Sequence, residues 1–127
     1  MEYFVQIYNC DINRFRVFLN STNSELSKKF NELCRDEKLV KKFVLVIEAV
    51  KINAHNKHQF NSEHKCDLGD IYAIKVENHR FYTLIFKDDG YRNLYISRYG
   101  RKQTQQNDKK LTTTIQSISK IDIKKIF

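Results

Sequence analysis

The chain has 127 residues, the length of one domain, and its 41% hydrophobic and 13% aromatic content excludes a disordered polymer. It holds no run of 18 apolar residues, which argues against a transmembrane helix, and the start MEYFVQIYNCD lacks the basic region of a secretory signal. The formal charge of +8 favours a polyanionic partner, of which nucleic acid is the commonest.

That charge is concentrated late in the chain. Residues 65–127 carry a net +6 and residues 1–64 a net +2, and residues 91–110 hold six basic residues against Asp108 alone. Three cysteines, Cys10, Cys34 and Cys66, are odd in number and widely spaced, which fits reduced thiols in a cytoplasm.

Taken in order, residues 3–8 (YFVQIY) are aromatic and β-branched and predict a first strand. Asn9 and Asp11 supply turn or cap chemistry. Ile12, Phe15, Phe18 and Leu19 recur at helical spacing and predict a short helix. After a polar interruption, Asn23 or Ser24 caps a second helix whose buried stripe is Leu26, Phe30 and Leu33. Residues 36–38 break the pattern. Leu39, Phe43, Val46, Ile47 and Val50 then continue at helical spacing to about Asn53. The stretch 43–50 is apolar enough for a strand, but its length and lack of internal turn signals favour a helix.

Residues 55–68 are polar and irregular and read as a loop. Next comes a meander of three strands, 70–76, 79–87 and 91–99, joined at Glu77-Asn78 and at the hairpin signal Asp88-Asp89-Gly90. Such short connections make the three antiparallel neighbours. Leu111, Ile115 and Ile118 mark a closing helix. In the tail, Ile121, Ile123, Ile126 and Phe127 suit either a last strand or a segment that orders on a partner. The whole reads as one α+β domain over 1–127, an antiparallel sheet against N-terminal helices.

Three kinds of site fail on spacing. His55, His58, His64 and Cys66 match no zinc pattern, and no metal or other cofactor is expected. Cys66 has His64 near in sequence but nothing that marks an activated thiolate. Asp67, Asp70, Glu77, Asp88 and Asp89 read as caps and turns, without a pair suited to acid–base work or to holding a divalent cation.

The remaining set is basic and aromatic: Lys75, His79, Arg80, Tyr82, Arg98, Tyr99, Arg101 and Lys102, all on the meander, with Arg92 a further RNA-binding candidate. Arginine and lysine neutralise phosphates and tyrosine stacks on an unpaired base. Cutting RNA without metal needs a base for the 2′-hydroxyl, cations for the phosphorane, and an acid for the leaving 5′-oxygen. A crowded positive patch supplies these groups, and it lowers the pKa of a lysine or tyrosine placed in it. The competing reading is a solvated charged face. Strict alternation also raises a conflict. It sets Arg80 with Tyr82, Leu84 and Phe86, and Arg98 with Leu94 and Ile96, so both faces of the meander carry apolar residues; either the last helix or a partner covers part of the outer face, or the strands twist and bulge near their ends.

From about Leu68 to Ser119 the chain resembles the RelE/HigB superfamily of bacterial toxin–antitoxin toxins. The segments GDIYAIKV, HRFYTLIF and LYISRYGRKQTQQNDKKL are similar, in that order, to the family's two strands and its strand, basic segment and closing helix. The resemblance implies a RelE-like fold and a type II toxin that inhibits translation by cleaving mRNA on the ribosome, in the cytoplasm, restrained by a cognate antitoxin protein. It implies that Lys75 holds the family's strand arginine or lysine position and that Arg80 stabilises the phosphorane. Arg98 is then the basic residue that binds phosphate or assists the leaving group, Tyr99 the residue that stacks or transfers a proton, and Arg101 with Lys102 the pair that grips the RNA backbone. His79 has no firm family counterpart and is a candidate by chemistry alone. The alternatives are a non-enzymatic gyrase poison of the ParE branch and a basic RNA-binding protein.

Overall fold

A computed structural model describes residues 2–66 and 69–102. The helix expected around Leu111 to Ile118 and the tail after it lie outside the described residues. The chain is α+β: strands β1 (Phe4–Cys10) and β2 (Phe15–Asn20), helices α1 (Ser24–Cys34) and α2 (Glu37–Lys51), then β3 (Phe60–Cys66), β4 (Gly69–Val76), β5 (His79–Asp88) and β6 (Tyr91–Arg101). The six strands form one sheet in the order β1-β2-β6-β5-β4-β3. The meander β4-β5-β6 is antiparallel, as its short turns require. The sheet as a whole is mixed, not antiparallel, because β2 lies parallel to β6, Phe15 opposite Arg92 through Leu19 opposite Ile96.

Both helices pack on one face of the sheet. Leu26 and Leu33 of α1 and Phe43, Val46, Ile47 and Val50 of α2 share a core with Phe15, Val17, Ile74, Val76, Phe81, Leu94, Ile96 and Tyr99. Leu26 is fully buried, which removes about 2 kcal/mol of apolar surface from water. The helix starts are fixed locally. Asn23 Oδ1 accepts from Leu26 N at 2.9 Å, and Asp36 Oδ1 accepts from Lys38 N at 3.0 Å and Leu39 N at 3.1 Å. The opposite face has its own apolar cluster: Phe4, Phe18, Ile71, Ala73, Tyr82, Leu84 and Tyr95, all buried. There Phe18 and Phe86 stack on Tyr95 at centroid distances of 4.9 and 4.7 Å.

Two expectations change. The helix expected from Ile12 to Leu19 is instead a turn and the strand β2. Phe15, Val17 and Leu19 face the helices while Phe18 faces the other cluster, so both sides of β2 are apolar and the alternation that marks a strand is erased. Ile12, which completed the helical spacing, is 96% exposed in the turn. The loop expected over 55–68 holds an edge strand, β3, of which Phe60 is buried; an edge strand held by backbone pairing with β4 needs little apolar sequence.

The turns of the meander follow their residues. Asp89 and Gly90 both have positive φ, 54° and 76°, the pairing that a tight hairpin demands. At the other end of β4, a Cβ on Gly69 would stand 2.2 Å from the Ile85 carbonyl oxygen, so glycine there allows β4 and β5 to meet.

Candidate RNA-facing site

Register places the basic residues. The hairpin at Glu77-Asn78 sets Val76 opposite His79 and therefore Lys75 opposite Arg80. Arg80 in turn lies opposite Gly100, which puts no side chain across from the guanidinium. Val76 belongs to the helix-side core, so Lys75 and Arg80 project from the other face, and Lys102 follows Gly100 on that face by alternation. The Lys102 amide donates to the Asn78 carbonyl at 2.8 Å, which ties the end of β6 to the turn beside this row.

A β-bulge settles where Arg98 stands. Tyr82 is opposite Arg98 but Thr83 is opposite Ile96, so β6 contributes Ser97 as an extra residue. The bulge reverses the alternation. Arg98 leaves the side of Leu94 and Ile96 and joins Tyr82, Arg80 and Lys75.

On this face Lys75 Nζ donates to the Lys57 carbonyl at 3.2 Å. Partial burial pushes its pKa below the usual lysine value; Glu63 opposes the shift, while the charges of Arg80, Lys102 and Lys57 add to it. Arg80 Nη1 donates to the carbonyls of Glu77 at 2.6 Å and His79 at 3.0 Å. Its half-buried guanidinium is aligned by the backbone, and burial lowers its pKa. Arg98 Nη1 pairs with Glu2 Oε1 and donates to its neighbour Ser97 O at 2.8 Å. Tyr82 is 2% exposed within the apolar cluster.

The other candidates lie elsewhere. Tyr99 and Phe81 face the helices, and so do His79 and the exposed Arg101 opposite it. His79 Nδ1 and the Tyr99 hydroxyl are 2.5 Å apart, and Lys29 Nζ of α1 stands 5.9 Å from the Tyr99 ring. Burial, then the charges of Arg101 and Lys29, lower the His79 pKa, and burial raises that of Tyr99. The sheet itself therefore separates His79, Tyr99 and Arg101 from Lys75, Arg80, Arg98 and Lys102.

Arg92 lies at the far end of β6, nine residues and roughly 30 Å from Arg101. Its Nη2 donates to the carbonyls of Val50 at 2.5 Å and Lys51 at 3.1 Å, its Nη1 to Asn53 Oδ1, and its guanidinium lies 5.1 Å from the Phe15 ring centroid. It closes the C-terminal end of α2.

Sequence reasoning missed Lys57 and Glu63, which bear on Lys75, because β3 and the turn before it carry no apolar period. It missed Glu2, the partner of Arg98, for want of any signal across 96 residues. What the Lys75–Arg80 row offers chemically is a lysine with a weakened hold on its proton beside a fixed guanidinium. In comparisons with known proteins, no protein-family model, curated protein or solved structure matches this chain.

Proposed function

We propose that the chain is an endoribonuclease of the RelE/HigB kind, a toxin that cleaves mRNA on the ribosome, without a metal ion, in the cytoplasm, and that a cognate antitoxin restrains. The observation that carries this reading is the direct opposition of Lys75 and Arg80 on adjacent strands, with Lys102 beside them. Lys75, in its neutral form, takes the proton of the 2′-hydroxyl. The 2′-oxygen attacks phosphorus, and the charge that develops on the phosphorane is met by Arg80 and Lys102. The bond to the 5′-oxygen then breaks, and that oxygen leaves with a proton from Lys102 or water. The products are a 2′,3′-cyclic phosphate and a 5′-hydroxyl.

Arg98 adds positive charge to the same face once Glu2 yields it to phosphate. The His79–Tyr99 pair has no part in this chemistry, since it lies behind the sheet.

Induced expression in a bacterial host tests the reading. The wild type arrests growth and translation. Arg80→Ala removes at least about a hundredfold of activity, the usual cost of losing one transition-state cation, and so relieves the arrest while circular dichroism stays unchanged. Full toxicity of a folded Arg80→Ala variant defeats the assignment. Arrest with DNA-damage signalling and intact mRNA favours the gyrase-poison alternative.

A further inference from the structure

On the helix side of the sheet, at the C-terminal end of α2, lies a cavity of about 160 Å³. The Lys75–Arg80 row projects from the opposite face, so a ligand in this cavity is independent of the nuclease reading. Val50 of α2, Phe60 of β3, Tyr72 of β4 and Ile85 of β5 form its apolar walls. Ring contacts hold those walls. Phe60 stacks on Tyr72 with centroids 4.5 Å apart, and His55 meets Phe60 edge-on at 5.1 Å. The rest of the lining is polar: Asn53 and His55 from the loop after α2, Asp70 at the start of β4, and Arg92 on β6. The cavity reaches solvent beside Asn53, which is exposed.

Asp70 and Arg92 are opposite charges that line one cavity without pairing. Asp70 lies across from Ile85, and Ile85 across from Leu94, two residues along β6 from Arg92. Their Cα atoms are therefore roughly 12 Å apart. The Arg92 guanidinium is held toward α2 by its bonds to Asn53, Val50 O and Lys51 O. Those three bonds leave two of its five N–H groups. Among the described residues neither Asp70 nor Arg92 forms an ion pair, and the Asp70 side chain has no hydrogen bond. His55 adds a second sign of incompleteness. Its Nδ1 is buried without a hydrogen-bond partner, and a buried polar atom left so marks a place that a further group completes. Burial, then the charge of Arg92, lower the His55 pKa, which favours the neutral ring and so a nitrogen that accepts.

We propose that this cavity binds a small zwitterion, an α-amino acid with an aliphatic side chain. Its carboxylate meets the remaining N–H groups of Arg92, its ammonium donates to Asp70, and its side chain packs on Phe60, Tyr72, Ile85 and Val50. Charge selects the zwitterion over simpler ligands. A plain carboxylate leaves Asp70 without a cation, and a plain amine brings a cation to a site that already holds Arg92. Size agrees. A closed cavity of about 150 Å³ holds benzene, and this one, open at Asn53, suits a molecule as small as valine or leucine.

Isothermal titration calorimetry on the full chain tests the assignment with L-leucine and two analogues that each lack one charge: isocaproate, without the ammonium, and isoamylamine, without the carboxylate. Leucine is expected to bind with a Kd of about 1 mM or tighter, and each analogue at least about tenfold more weakly. Asp70→Asn should weaken leucine by about tenfold or more and leave isocaproate no weaker, a change of selectivity that a merely structural role would not produce. Circular dichroism checks that the variant is folded, and the comparison of ligands on the wild type stands without it. Three results would overturn the proposal: no heat from leucine up to about 10 mM, equal binding of either analogue by the wild type, or undiminished leucine binding by folded Asp70→Asn.

Discussion

Lys75 and His79 both titrate below their usual ranges, but they sit on opposite faces and report different things. Lys75 loses its proton more readily because it is part-buried and surrounded by Arg80, Lys102 and Lys57, which is what a general base requires. His79 is held against Tyr99 under α1, and burial disfavours its cation. A depressed folded pKa means that the unfolded chain binds the proton more tightly. The contribution of His79 to stability is therefore complete above its unfolded value of 6.5 and is lost as pH falls through the lower folded value. The urea midpoint of the wild type is expected to drop between about pH 7 and pH 5. His79→Gln should flatten that dependence without relieving the proposed toxicity. A His79→Gln variant with an unchanged pH slope, or with toxicity lost at wild-type stability, contradicts this placement.

At the level of elements, Arg92 shows how a cation that reads as RNA-binding in sequence acquires another occupation. It meets the last carbonyls of α2 and the Phe15 ring, joining helix, β2 and β6. Arg92→Ala leaves those carbonyls without their donor. It should cost about 1–3 kcal/mol, measured by urea denaturation, while any activity of the proposed kind follows the folded fraction. Specific loss of RNA cleavage at full stability would restore the RNA-binding role. The elements also show which parts of the chain could be read directly. The meander was legible because its turn signals, Glu77-Asn78 and Asp88-Asp89-Gly90, bound three runs of strand length, and the tight Glu77-Asn78 turn fixes Lys75 against Arg80. The helix α2 was legible from its length. β2 was not, because burial on both faces imitates a helix, and β3 was not, because an edge strand bonded through its backbone needs no apolar period. The Ser97 bulge decides the face of Arg98, and no residue type in YISRY announces it.

For the molecule as a whole, the sheet is the organising device. One face carries two helices and a part-buried histidine paired with a buried tyrosine; the other carries an aromatic cluster bordered by Lys75, Arg80, Arg98 and Lys102. No helix among the described residues is long and apolar enough to cross a membrane. The proposed chemistry asks the second face to meet a phosphate, with Lys75 as base and no metal. The most direct test is the end chemistry of mRNA from cells that express the chain. Primer extension locates the cuts, and the new ends are assayed for 2′,3′-cyclic phosphate and 5′-hydroxyl. The wild type should give discrete cuts within translated codons that bear those ends, and Lys75→Gln should suppress them by about two orders of magnitude or more. Intact mRNA during growth arrest, ends with 5′-phosphate and 3′-hydroxyl, or undiminished cutting by folded Lys75→Gln would contradict the account.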